Sequence, residues 1–246
     1  CGGDGITIAK NGRSPYAIVL SSNASLSERH AAGELKNFIR TATDADVPIV
    51  NESDTRAGTA PRIFVGAGPA LAALNSGVDT NFSDEEFAIR TVKTGGKYDI
   101  VIAGHPRRGT MYGVYTFLDR IGFRWFTKRV TRYPGGKALR TGPLDVREKP
   151  AFMSRDTTVR EAHDPDWAAR NRMNAGHADL DSTRGGKIGI NDVHTLDRLV
   201  PPELFNTHPE YFPLIRGRRV TGLVQPCLAN PARVDIAVKN LEHRLD

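Results

Sequence analysis

Apolar positions in the first part of the chain alternate between two rhythms. Short unbroken runs, "YAIVL" at 16–20, "VPIV" at 47–50 and "RIFVG" at 62–66, read as strands. Between the first two lies a stretch of helical period. "SLSE" at 25–28 is a capping box, in which the Ser25 hydroxyl accepts from the backbone N–H of Glu28 and Glu28 reaches back. The stripe that follows is Ala31, Leu35, Phe38, Ile39 and Ala42, at spacings of three and four. "FAIRTV" at 87–92 and "YDIVIAG" at 98–104 are strands joined by "KTGGK", a hairpin turn. A second helix carries Met111, Val114, Tyr115, Leu118 and Ile121 on one face, and Gly122 suits a left-handed position just past its end. "FRWF" at 123–126 adds one short strand. These elements predict a compact α/β domain over 15–145, preceded by a flexible tether at 1–14. "PGGKALRTGPLDVREKP" at 134–150 reads as a linker.

Beyond residue 150 the rhythm weakens. "AFMSRD" at 151–156 reads as a strand, "DPDWAARNRM" at 164–173 as a short helix and "NAGHADL" at 174–180 as a second strand. A long stretch without clear period follows, and a loop of that size inside a domain is either functional or a sign that the elements around it are misassigned. Order returns at "NPARVDIAVKNLEHRLD", where Asn230 suits an N-cap and Pro231 the first helical position. Val234, Ala237, Val238, Leu241 and Leu245 form the predicted buried face of that helix.

The composition, 39% hydrophobic and 25% charged over 246 residues, is that of a folded soluble chain of one or two domains. Net charge is +6, and arginine supplies 25 of the 34 basic residues. Base composition of the genome accounts for such a bias. So does recognition of carboxylate or phosphate, which the planar guanidinium grips bidentately. Acids interrupt the arginines throughout and no nucleic-acid motif is present, which argues against nucleic acid as partner. Two cysteines make neither a disulfide framework nor a metal spacing; Cys227 reads as a buried apolar residue. Cys1, in "CGGDG", looks like the lipidated first residue of a mature bacterial lipoprotein, which predicts a cell-envelope location, periplasmic or cell-surface, and a membrane link only through that lipid. "GAGPAL" at 66–71 follows a strand and opens a helix as a dinucleotide fingerprint does, but Leu71 stands where the third glycine belongs, and the turn reads as a tight strand-to-helix connection.

Two groups of motifs carry a family resemblance. "AAGELKNFIRTATDADVPIV", "RIFVGAG" and "RRGTMYGVYTFLDRIGFRWF" resemble the N-terminal α/β domain that precedes the barrel in bacterial alpha-glucuronidases and beta-hexosaminidases. "REKPAFMSRD", "DWAARNRMN", "HTLDRLVPPELF", "HPEYFPLIRGRR" and "CLANP" resemble a family of bacterial, often lipoprotein, glycoside hydrolase-like proteins that carry this domain. The resemblance implies an α/β fold class overall: helices on a mixed sheet, then, over 146–246, the first strands and helices of an incomplete (β/α)8 barrel. It implies a carbohydrate partner, uronic-acid-containing polysaccharide among them, with no cofactor and no metal. A free barrel edge would also favour self-association.

Glycoside hydrolysis ordinarily needs two carboxyl groups flanking the bond. In the relatives these come from later barrel strands, so the catalytic pair is expected beyond residue 246, although Asp156, Glu161, Asp179, Asp192 and Glu210 offer acids within the chain. The expected substrate contacts are Arg155 and Asp156 at the end of the first barrel strand, Asn171 on its helix, and His194, His208, Glu210 and Arg219 in the long loop. Each has an ordinary alternative: a salt bridge for Arg155, a structural hydrogen bond for Asn171, ties within the loop for His208 and Glu210. Trp167 reads either as the anchor of its helix or as a sugar-stacking platform. Pro209, Tyr211, Phe212 and Leu214 are expected to pack the loop and "RGRR" at 216–219 to turn at its tip. Two functions follow: a part of an envelope-anchored glycoside hydrolase-like protein supplying support and substrate contacts, or a non-catalytic carbohydrate-binding lipoprotein.

Overall fold

The computed structural model describes residues 5–54, 60–189, 199–222, 224 and 228–245; Cys1, His194, Asp192 and Cys227 lie outside them. It divides into two compact units, 1–189 and 190–246.

The first unit is built on a six-stranded mixed sheet. Its strands are β2 (Ala17–Leu20), β3 (Ile49–Asn51), β4 (Arg62–Val65), β5 (Phe87–Thr94), β6 (Lys97–Gly104) and β10 (Asp145–Glu148), in the order β10-β5-β6-β4-β2-β3. The pairs β2–β3, β2–β4 and β4–β6 are parallel, whereas β5 runs antiparallel to β6 and β10 antiparallel to β5. The apolar runs have no polar alternation because the central strands are covered on both faces. Ile18, Ile63, Val65, Ile100 and Ile102 face one core. Their neighbours Val19, Phe64, Val101 and Ala103 face a smaller one, closed by Leu71 of α2 (Pro69–Ala73).

Two helices cover the larger face. α1 (Leu26–Thr43) opens with both halves of the capping box, Ser25 Oγ accepting from Glu28 N at 3.1 Å and Glu28 Oε2 from Ser25 N at 2.8 Å. It buries Ala31, Leu35, Phe38 and Ile39 as the stripe requires. α3 (Gly109–Arg120) is buried from Gly109 to Leu118 on all sides, more than an amphipathic stripe implies. Gly113 permits this, since a Cβ there would lie 2.9 Å from Ile102 Cγ2 on the sheet. Gly122 takes φ +106°, the left-handed position its sequence context implies.

The sequence reading treats 1–14 and 134–150 as tether and linker, and the structure corrects both. Residues Ile6–Lys10 form β1, which pairs antiparallel with β9 (Ala138–Thr141), and β10 completes the main sheet at the β5 edge. Both partners are distant in sequence, so no local pattern announces them. A short hairpin, β7 (Arg124–Trp125) with β8 (Thr131–Arg132), precedes β9. It seats Trp125 in an aromatic cluster with Phe38 and Tyr115.

Glu86 fastens the edge. Its carboxylate accepts from Ser83 N at 2.9 Å, Ser83 Oγ at 2.8 Å and Arg147 Nε on β10 at 2.7 Å. The Ser83 hydrogen bonds, then Arg147, outweigh burial and bring its pKa from 4.5 down to about 2. A depressed carboxyl stabilises the fold above its unfolded pKa and loses that contribution as pH falls through the folded value. Glu86→Gln should therefore be less stable than wild type at neutral pH, and the gap should close between pH 4.5 and about 2. Urea unfolding at stepped pH reads this directly; a gap independent of pH contradicts it.

The two expected barrel strands are not present as strands. Residues 151–156 form no strand and bend at Ala151 and Met153, and 174–180 contribute one isolated bridge, Ala175 to Ile188. α4 (Pro165–Arg170) does form, capped by Asp164, whose carboxylate accepts from Trp167 N at 2.9 Å. Arg170 of α4 lies over the Phe38 ring at 5.1 Å and donates to Glu34 of α1 at 2.7 Å, so this segment packs on the α/β layers.

The second unit contains a two-stranded hairpin, β11 (Leu214–Ile215) with β12 (Arg218–Arg219), and the helix α5 (Pro231–Leu245). The α5 stripe lies differently from expectation. Val234, Val238 and Leu241 are exposed and line a groove of about 190 Å³ with Leu199 and Val200, while Arg233 is buried.

Candidate functional site

The expected contacts in the first unit fall into two clusters. The first is a buried polar hub. Glu85 holds a left-handed φ of +64° just before β5. Its carboxylate meets Arg108 Nε at 2.6 Å, Asn174 Nδ2 at 2.8 Å and Arg155 Nη2 at 2.7 Å. The Arg155 contact is an ion pair without hydrogen-bond alignment, since Nη2 has no geometrically sound acceptor. Arg155 also donates to the carbonyls of Arg172 at 2.7 Å and Phe152 at 2.6 Å and lies over the Tyr112 ring. Its guanidinium is therefore engaged within the protein, as in the salt-bridge alternative. Asn171 is likewise occupied, its Nδ2 donating to Trp167 O at 3.0 Å and Trp125 O at 3.3 Å.

The second cluster is at the surface and begins at the neighbouring Asp156. Its carboxylate accepts from Thr157 N at 2.8 Å and His177 N at 3.1 Å, and stands 3.0 Å from His177 Nδ1. Gly176, at φ +53°, allows this approach, because a Cβ there would collide with the Asp156 carboxylate. Burial pushes the Asp156 carboxyl upward, but the His177 and Thr157 hydrogen bonds outweigh it and hold it below the usual range. The His177 ring meets His163 edge to face at 5.3 Å, His163 stands 3.5 Å from Asp179, and Lys187 reaches Asp179 at 3.9 Å. A carboxylate bound to Nδ1 fixes the imidazole ring and leaves Nε2 for exchange with a ligand. Among the described residues no group of three or more His, Cys, Asp or Glu side chains is arranged to hold a metal ion.

Sequence reasoning singles out neither His163 nor His177; for His177 the reason is that 174–180 reads as a strand. The "GH" step at 176–177 is the only local hint. The same unit has an open cleft of about 450 Å³ at the carboxyl ends of β2 and β6, lined by Ser25, Ser27, Arg107, Asp181 and Gly185. That is the edge at which open parallel sheets commonly take ligands.

In the second unit His208 and Glu210 stand 3.1 Å apart, and the His208 ring stacks on Tyr211 at 4.7 Å. Arg219 donates to Phe212 O at 2.6 Å. Phe212 is buried and packs on Phe205, as the loop-packing role requires, but Leu214 is exposed and does not share it. His208 and Glu210 are close neighbours, while Arg219 is tied to the hairpin.

Comparison with known families places these elements. A family described as glycosyl hydrolase family 67 N-terminus matches residues 8–117, and one described as Domain of unknown function (DUF4838) matches residues 125–246. Residues 8–117 are thus similar to a glycosyl hydrolase N-terminal domain, and the remainder to a domain whose function its family description leaves open. A solved structure titled as a novel family GH115 4-O-methyl-alpha-glucuronidase, with specificity for decorated arabinogalactans, aligns with a TM-score of 0.52 at 14% identity, which is a likeness of fold. The alignment covers 74% of this chain and 29% of the neighbour, so the chain spans less than a third of that enzyme. The comparison with curated proteins gave no match.

Proposed function

We propose that the chain supplies the support domain and part of the substrate-contact surface of a glycoside hydrolase-like protein acting on uronic-acid-containing polysaccharide. The observation that carries this reading is the glycosyl hydrolase family 67 N-terminal match over 8–117, which spans the α/β layers from β1 to most of α3. On this reading Asp156 with His177 contacts sugar hydroxyls in the first unit, and His208, Glu210 and Arg219, with His194, do so in the second. Arg155 and Asn171 act from behind, holding the 151–174 segment. Anchoring at the cell envelope through Cys1 belongs to the same reading, supported by its Gly-rich flank.

A second reading, carbohydrate binding without turnover, is favoured by one observation: the Arg155 guanidinium is committed to Glu85 and two carbonyls. The test compares this chain with a form extended past residue 246, measuring release of uronic acid from glucuronoxylan. Release by the extended form alone is the expected result. Saturable binding without release by either form favours the second reading, and neither binding nor release overturns both.

A further inference from the structure

The β7–β8 hairpin has two unlike faces. Arg124 opposes Arg132, and Trp125 opposes Thr131. Side chains alternate along a strand and opposed residues share a face. Trp125 therefore turns into the aromatic cluster, and the other face carries Arg124, Arg132 and, two positions on, Phe126 and Val130. Phe126 is 60% exposed and Val130 53%. The turn between them adds Lys128 and Arg129, both exposed. It is held in shape by Phe126 N donating to Val130 O at 3.0 Å and Val130 N to Thr127 Oγ1 at 3.0 Å.

The charge arrangement is unfavourable for the isolated protein. Like charges directly opposed across a ladder destabilise it. Asp119 neutralises Arg124 at 2.7 Å, but Lys128, Arg129 and Arg132 have no carboxylate partner among the described residues. A fixed apolar pair ringed by three unpaired cations complements a partner with apolar surface and regularly spaced negative charge.

We propose that this hairpin is a docking ridge for an acidic polysaccharide. The C–H face of a sugar ring would pack on Phe126 and Val130, while uronate carboxylates accept from Arg129, Arg132 and Lys128. The class of polymer rests on the carbohydrate reading above; the site itself rests on the hairpin's geometry and charge and shares no residue with the Asp156–His177 cluster.

Affinity electrophoresis of the full chain in polygalacturonate tests it, with neutral dextran as control and a Lys128→Gln/Arg129→Gln/Arg132→Gln variant beside it. All three side chains are exposed and the opposed like charge at Arg132 is relieved, so the variant should melt no lower than the wild type. Polygalacturonate should retard the wild type, neutral dextran should not, added salt should abolish the retardation, and the variant should lose about ten-fold or more in affinity. A Phe126→Ala/Val130→Ser variant should also bind more weakly. No retardation of the wild type, equal retardation of the triple variant, or binding confined to phosphatidylglycerol vesicles overturns the proposal. Polygalacturonate binding without uronic acid release by the extended form supports the ridge while sinking the hydrolase reading. Undiminished polymer affinity in the triple variant sinks the ridge alone.

Discussion

Glu85→Ala should cost about 3–5 kcal/mol of unfolding free energy, the scale for breaking a buried ion pair from one side. The reason lies with the partners left behind. Arg108 is 0% exposed, and its charge is met by Glu85 Oε1 at 2.6 Å, with only a longer 3.3 Å contact to Asp84 and carbonyls of Gly185 and Gly186 to compensate. Removing the carboxylate leaves that guanidinium desolvated, takes the counter-ion from Arg155 and strips Asn174 of an acceptor. Relief of the left-handed φ at residue 85 does not offset this, because alanine is no better suited to it than glutamate. Glu85→Gln should fall between, keeping an acceptor for Asn174 but losing the charge. Urea unfolding followed by the fluorescence of Trp125 and Trp167 measures the effect. Hydrogen exchange should show the 151–174 backbone opening first, since Asn174 joins it through Arg155 N at 2.8 Å and Met153 O at 2.8 Å. A loss below about 1 kcal/mol, the worth of an exposed pair, contradicts the hub's role.

The second large effect is expected at Phe38, and truncation to alanine should cost about 3–5 kcal/mol. Phe38 meets Phe123 edge-on at 5.3 Å, Trp125 at 5.5 Å and Tyr133 at 6.3 Å, and Arg170 covers its other side. Lost burial and the cavity dominate; the cation–π contact adds about 0.5–1 kcal/mol. Phe38→Leu refills much of the space and should cost clearly less. Arg170→Ala in both backgrounds forms a double-mutant cycle that isolates the cation–π share. Equal losses for Phe38→Ala and Phe38→Leu in thermal unfolding would contradict a packing origin.

What the sequence discloses depends on how locally each feature is encoded. The Ser25–Glu28 box, the α1 stripe and the Gly95–Gly96 turn each involve residues a few positions apart, and the structure has all three. β9 and β10 were invisible because their partners, β1 and β5, lie far away in the chain, while their own residues include Gly, Pro and charge as neighbours. The Asp156–His177 contact was hidden for a related reason. It depends on a close backbone approach at Gly176, which has no periodic signature. Arg155 was legible as a costly half-buried charge, but its partner Glu85 was not, since nothing near Glu85 marks it as buried. On α5 the stripe of Val234, Val238 and Leu241 was plain, whereas sequence does not say what covers it.

The β1–β9 pairing bears on how the domain is made. During synthesis β1 leaves the ribosome well before β9, so Ile6 cannot find Thr141 until the strands β2 to β6 have followed. Until then Ile6, Ile8 and Ala9, all buried in the finished fold, stay uncovered on the nascent chain. Closing so long a loop is slow relative to forming α1 or the β5–β6 hairpin. A strand made early is thus among the last of its unit to pair, and for that interval its apolar side chains are open to aggregation or to a chaperone.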